Sequence, residues 1–164
     1  MDRPLNVDFI RWIVLLPPIG AAINFLFGAT LQKKFGKRII SVIGCGVVIG
    51  AFALAFSAFL RMLQFTPEHR FLLDDLWRWI DVGGLNLDIA FWLDPLSIVM
   101  VLIITGVGGL IHIYSIGYMH DDPSYWRFFG WLNLFTLAML VLVLGDNLWL
   151  MFVGCEASAS ARSR

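Results

Sequence analysis

Long uncharged stretches alternate along this chain with shorter polar ones. Trp12–Leu31, Ile39–Leu60, Leu96–Gly117 and Phe128–Leu144 contain no Asp, Glu, Lys or Arg. A hydrocarbon layer about 30 Å thick needs about 20 helical residues at about 1.5 Å each, so each stretch reaches or nearly reaches the length of a span. A fifth apolar run begins at Leu148 (LWLMFVGC) and meets Glu156. Lone strands cannot satisfy their backbone in lipid, and period-2 alternation is missing from the stretches, so all are read as helices. The pattern predicts an all-α membrane protein with about four transmembrane helices and an incomplete fifth. Pro17 and Pro18 should kink the first helix or leave a local gap in its hydrogen bonding.

The connections differ in character. Gln32–Arg38 (QKKFGKR) reads as a tight turn with four cations and no acid. Gln64–Asp94, between helices 2 and 3, is long, acidic and rich in tryptophan. Within it, Trp77–Val82 and Leu85–Phe91 flank Gly83-Gly84, and Leu85, Leu87, Ile89 and Phe91 alternate with Asn86, Asp88 and Ala90. That alternation predicts a short β-hairpin lying at the membrane face. Trp77, Trp79 and Trp92 suit an interfacial belt, although packing within a hairpin would explain them equally well.

Composition sharpens the class. The chain of 164 residues is 59% hydrophobic and 15% charged, where a soluble domain carries about 45–50% apolar and about 25% charged residues. That balance excludes an ordinary soluble enzyme and a disordered tail. Formal charge is zero, so there is no basic field to attract nucleic acid. Cys45 and Cys155 lie far apart without ligand-spaced histidines, giving neither a disulfide framework nor a metal site. Asp2 and Asp8 spoil a basic leader, so the first span is not read as a secretory signal. The partner implied throughout is the lipid bilayer, crossed several times. Lys33, Lys34, Lys37, Arg38 and Arg127 fall on one side, and Arg3, Arg11, Arg61, Arg70 and Arg78 on the other. The dense cluster at 33–38 places that side in the cytoplasm and the N-terminus outside.

Few residues could carry chemistry. Glu156 sits inside an apolar run, roughly 12 Å deep if the fifth span forms. A buried lone carboxylate is costly, and intramembrane acids are candidates for proton relay. Alternatively, no fifth span forms and Glu156 belongs to a polar tail. His112 lies in the third span with Tyr114, Ser115 and Tyr118 near it. It could extend a proton path, because imidazole titrates near neutrality, or it could simply hydrogen-bond a neighbouring helix. Asp94-Pro95 reads as the capped start of the third span. Gly46 and Gly50 form a GxxxG step, extended by Ala51, Ala55 and Ala58, that suits close helix packing. Gly106, Gly108 and Gly109 make no dinucleotide fingerprint, and no redox-centre signature is present.

From Phe91 onward three segments are distinctive: FWLDPLSIVMVLIITGVGGLIHIYSIGYM (91–119), YWRFFGWLNLF (125–135) and LVLGDNLWLMFVG (142–154). They resemble the L-subunit family of proton-translocating NADH:quinone oxidoreductase, respiratory complex I. The resemblance implies an antiporter-like subunit of a bacterial-type plasma (inner) membrane, with its N-terminus outside, partnered by other membrane subunits of complex I. Proton translocation would occur here, while NADH, flavin, iron–sulfur clusters and quinone belong to other subunits and no cofactor binds this chain. It further implies that Glu156 occupies the position of the family's essential glutamate in G-W-E-G-V-G-L-C-S-Y.

There the match breaks. Cys155 stands in place of tryptophan, and residues 157–164 (ASASARSR) replace G-V-G-L-C-S-Y. Codons for G-V-G-L-C-S can be chosen so that loss of one leading G yields A-S-A-S-A-R, the residues at 157–162. Residues 1–156 are therefore read as an N-terminal membrane segment and 157–164 as a frameshifted tail. Ser163 and Arg164 do not follow from that single change. In an intact subunit Glu156 would exchange a proton with a lysine on a later helix. This chain holds no membrane-embedded lysine and is expected to conduct no protons alone. The alternatives are a subunit of a related multisubunit cation/proton antiporter or membrane-bound hydrogenase, or a non-transporting structural membrane protein.

Overall fold

The computed structural model describes residues 5–6, 10–64, 72–82, 85–145 and 148–162. Its elements run β1 (Leu5–Asn6), α1 (Ile10–Phe35), α2 (Lys37–Leu63), β2 (Leu72–Val82), β3 (Leu85–Leu93), α3 (Pro95–Tyr118), α4 (Tyr125–Leu144) and α5 (Leu148–Arg162). α1 to α4 are long and apolar enough to cross a membrane. Their outer faces carry Leu26, Phe27, Val42, Leu96 and Leu110, all exposed. In water such a surface would be untenable, whereas in lipid it needs no cover. The chain is an integral, multi-pass membrane protein.

The all-α expectation requires correction. β2 and β3 pair antiparallel, with Leu72 opposite Leu93 and Val82 opposite Leu85, and β1 joins the other edge of β2 in parallel. The result is a three-stranded mixed sheet in the order β1-β2-β3. Both strands contain the segments that period-2 alternation marked: β2 starts five residues before Trp77 and ends at Val82, and β3 starts at Leu85 and ends two residues after Phe91. The register shifts between Asp75 and Trp77 and again between Arg78 and Ile80. Such irregularities move side chains to the opposite face and hide a strand from a strict period-2 reading. β1, at two residues, is too short to leave any periodic trace. Gly83-Gly84 and the tryptophan side chains of the expected belt lie outside what is described.

Two further expectations change. α1 runs on to Phe35 and α2 starts at Lys37, so the tight turn shrinks to Gly36 alone. Gly36 has φ 79° and ψ −179°, a region essentially reserved for glycine. Its amide closes the last turn of α1 by donating to Gln32 O at 3.1 Å. Lys33 and Lys34 sit in that last turn, where cations complement the carbonyl end of the helix dipole. The fifth helix, expected to be incomplete after Glu156, continues through residues 157–162. Ala and Ser continue a helix at small cost once it has begun.

Pro17 and Pro18 both lie inside the unbroken α1. α3 begins as its sequence suggests: the Asp94 carboxylate accepts from Ser97 N at 2.6 Å, with proline in the first turn. The GxxxG step behaves differently. A Cβ at Gly46 would meet open space and one at Gly50 only the tip of Leu16. The tight contacts of α2 come instead at Gly44, where a Cβ would stand 2.6 Å from the Phe129 ring.

α1 packs between α2 and α4, α3 packs on α2 and α4, and α5 lies against α4. One apolar cluster, including Ile13, Ala55, Leu93, Ile98 and Leu140, fills the end of the bundle nearer the sheet. A second, of Ile40, Cys45, Tyr125 and Phe129, fills the end that carries the α1–α2 turn. Lys37 Nζ donates to His120 O, and Gln32 Nε2 donates to Pro123 O at 3.2 Å, tying the α1–α2 and α3–α4 turns together. The cations at 33–38 and Arg127 therefore share one end of the bundle.

Candidate functional site: a buried polar layer and the outer face of α5

Buried polar side chains recur at helical spacing on the inner faces. On α3 the buried stripe is Ile98, Val101, Thr105, Gly109, His112 and Ser115. Steps of three and four keep these on one side of a helix. Thr105 and Ser115 each donate to the carbonyl four residues earlier, at 2.7 and 2.8 Å. Their hydroxyls are thereby satisfied within their own helix, which is how small polar residues are tolerated in a membrane.

His112 is 1% exposed and its ring is held at both nitrogens. Nδ1 lies 2.7 Å from Gly108 O, and Nε2 lies 3.2 Å from the carboxamide of Asn133 on α4. A carbonyl can only accept, so Nδ1 carries a hydrogen and donates to it. The Phe129 ring closes the remaining side at a centroid distance of 6.1 Å, nearly edge-on. Asn133 is fully buried, wedged where α1 and α2 have glycine: Cβ atoms at Gly20 and Gly44 would come within 3.2 and 3.5 Å of its amide nitrogen. Asn24, also fully buried, follows Gly20 by one turn on the same face of α1. Below this layer Ser41 and Tyr125 share a hydrogen bond between α2 and α4. The sequence pattern singled out His112, but not Asn24 or Asn133. A buried asparagine in an apolar helix was the available signal, since amides there need partners.

Glu156 lies elsewhere. α5 turns Gly154 and Ala161 inward and leaves Phe152, Val153 and Glu156 exposed. A Cβ at Gly154 would stand 2.9 Å from Leu142 N and 3.0 Å from Ala138 O, so the two backbones nearly touch there. That contact fixes the rotation of α5 and points Glu156 away from α4. The structure therefore joins His112 to Asn133 and does not bring Glu156 to either. Among the described residues no group of His, Cys, Asp and Glu is arranged to hold a metal ion.

A sequence model of "NADH-Ubiquinone oxidoreductase (complex I), chain 5 N-terminus" matches residues 79–129. NADH-quinone oxidoreductase subunit L of Mycobacterium tuberculosis (strain ATCC 25618 / H37Rv) is 41% identical over 95% of this chain and 24% of that protein. The protein of the same name from Escherichia coli (strain K12) is 37% identical over 92% of the chain and 24% of its own length. NADH-ubiquinone oxidoreductase chain 5 of Cryphonectria parasitica is 39% identical over 88% of the chain and 21% of its own length. The chain thus spans about a quarter of the length of these relatives. Over nearly all of its own length, it corresponds in sequence to part of the subunit L and chain 5 proteins of NADH-quinone oxidoreductase.

Proposed function

We propose that this chain supplies the first helices of an antiporter-like membrane subunit of NADH-quinone oxidoreductase and contributes there to proton translocation. The observation that carries the reading is the identity of 37–41% over 88–95% of the chain to proteins bearing that name or the chain 5 name. The chemistry of electron transfer would stay on other subunits, and this chain would be oriented with the basic end of the bundle in the cytoplasm. Glu156 is the proton-exchanging group. Its exposure on the face of α5 turned from α4 supports this, because that face is open to a cation on another helix. His112 is a positioning residue that ties α3 to α4 through Asn133.

Affinity isolation of the tagged chain from its own membranes tests the reading. Recovery within a complex that oxidises NADH and reduces quinone supports it. Recovery with a cation/proton antiporter or a hydrogenase, or as a lone chain, overturns it. Within such a complex Glu156→Gln should reduce proton uptake by vesicles per NADH oxidised, while a variant retaining full uptake would remove Glu156 from the mechanism.

A further inference from the structure

Four buried amide atoms have no hydrogen-bond partner among the described residues: Oε1 of Gln32 near the α1–α2 turn and, deeper in the bundle, Nδ2 and Oδ1 of Asn24 and Nδ2 of Asn133. Both asparagine side chains are fully buried. An amide left unpaired in an apolar setting costs on the order of 1–3 kcal/mol, so groups of this kind almost always have a partner.

The hydrogen-bond logic around His112 makes the orphan at Asn133 unavoidable. Nδ1–H donates to Gly108 O. A neutral ring then offers only a lone pair at Nε2, and the amide oxygen facing it at 3.2 Å also only accepts. Turning the Asn133 carboxamide by half a rotation resolves the conflict, since Nδ2–H then donates to Nε2. Oxygen and nitrogen of an amide are told apart only by such networks. The alternative, a doubly protonated imidazole without a counter-ion, is far more costly in this setting. With the amide turned, Oδ1 becomes the orphan and wants a donor. Asn133 is thus short of one partner in either orientation.

The place where that partner can lie is restricted. At Gly20 and Gly44 the helices close directly on the Asn133 amide, and a Cβ at Gly20 would stand 2.5 Å from Val47. Nothing further fits on that side. Asn24 follows Gly20 by one turn, a step of about 6 Å along α1. Two turns beyond Gly20, Gly28 meets Trp126 of α4. Asn24 therefore lies at a level between two α1–α4 contacts, beside the Phe129–Gly130 turn that follows Trp126. By this spacing Asn24 is the next buried polar side chain along α1 from the point where Gly20 meets the Asn133 amide.

We infer that α1 and α4 enclose a buried water site, formed by the carboxamides of Asn24 and Asn133 and bordered by Phe129. Water is the ligand of choice because it is small enough for a bundle interior and both donates and accepts, as two opposed amides require. Through Asn133 it is linked to His112, giving α1, α3 and α4 a shared polar joint in a bundle otherwise packed by apolar contacts.

Hydroxyl-radical labelling by X-ray radiolysis, on the full chain in phospholipid nanodiscs and 18O water, tests this directly. Radicals form from water beside the side chain they modify. Phe129, fully buried in the bundle, should acquire 18O several-fold faster than Phe52 and Phe56, which face outward on α2. Asn24→Leu and Asn133→Leu, which keep the branched shape and heavy-atom count while removing every donor and acceptor, should each bring Phe129 down to the level of those two. Equal labelling of all three phenylalanines in the unmodified chain would mean that the amides pair without water, and it overturns the site. Fast labelling of Phe129 that survives both substitutions places the water elsewhere and overturns it as well.

Discussion

Gly36 shows how much one residue can decide. Its φ of 79° with ψ near 180° lies outside the left-handed helical well that asparagine can share, in a region where any Cβ is strained. Gly36→Ala should therefore destabilise the bundle by about 1–3 kcal/mol, and Gly36→Asn should be no better. Equilibrium unfolding in mixed micelles measures both, and recovery with asparagine would mean that the turn relaxes into the left-handed well. Gly154 acts through space instead of conformation. Its absent side chain lets α5 rest on the backbone of α4 near Ala138 and Leu142. Gly154→Leu cannot be relieved by a rotamer change, because the obstructing atoms are backbone, and overpacking of this kind costs about 1–3 kcal/mol. Spin labels at Met139 and Ser158, which line one cleft between these helices, should report a longer and broader separation in the variant. An unchanged distance would show that α5 shifts along α4 without leaving it.

At the scale of elements, the capped start of α3 offers a clean separation of two effects. The Asp94 carboxylate accepts from Ser97 N, and its charge also complements the amino end of the helix dipole. Asp94→Ala should cost about 1 kcal/mol. Asp94→Asn keeps the hydrogen bond without the charge and should recover most of that loss in the same unfolding measurement. A failure of asparagine to recover it would make the dipole the larger contribution. This cap was legible in the sequence because Asp-Pro ahead of an apolar run combines two independent start signals. The spans were legible for a similar reason, since length and absence of charge are summed over a whole helix and survive local exceptions. What escaped were features set by one or two residues: β1, the single-residue turn at Gly36, and the glycines that pack. Gly20, Gly28, Gly44, Gly130 and Gly154 carry the close approaches, while the Gly46–Gly50 motif faces open space or a side-chain tip. A GxxxG spacing states that two glycines share a face, not which neighbour that face meets. His112 could be singled out from its type and depth, but its partner Asn133 could not, because pairing depends on how α3 and α4 are rotated.

The whole molecule has two unlike ends, and their difference argues for one orientation. Lys33, Lys34, Lys37, Arg38 and Arg127 gather at the end formed by the α1–α2 and α3–α4 turns, which are bound to each other through Lys37, Gln32, His120 and Pro123. The sheet and the open ends of α2 and α3 lie at the other. Both turns lie at one end of the bundle, so the compact basic cluster biases that end as a whole, and clustered cations are retained on the cytoplasmic side. The expected topology places Lys34 inside and Gln64, the cap of α2 at the far end, outside. In a Cys155→Ser background, leaving the buried Cys45 in place, a membrane-impermeant maleimide applied to intact cells should label Gln64→Cys. It should label Lys34→Cys only after the membrane is opened. The reverse pattern would invert the topology and move the side from which Glu156 could be protonated. Labelling of both sites in intact cells would mean that the cluster does not fix a single orientation.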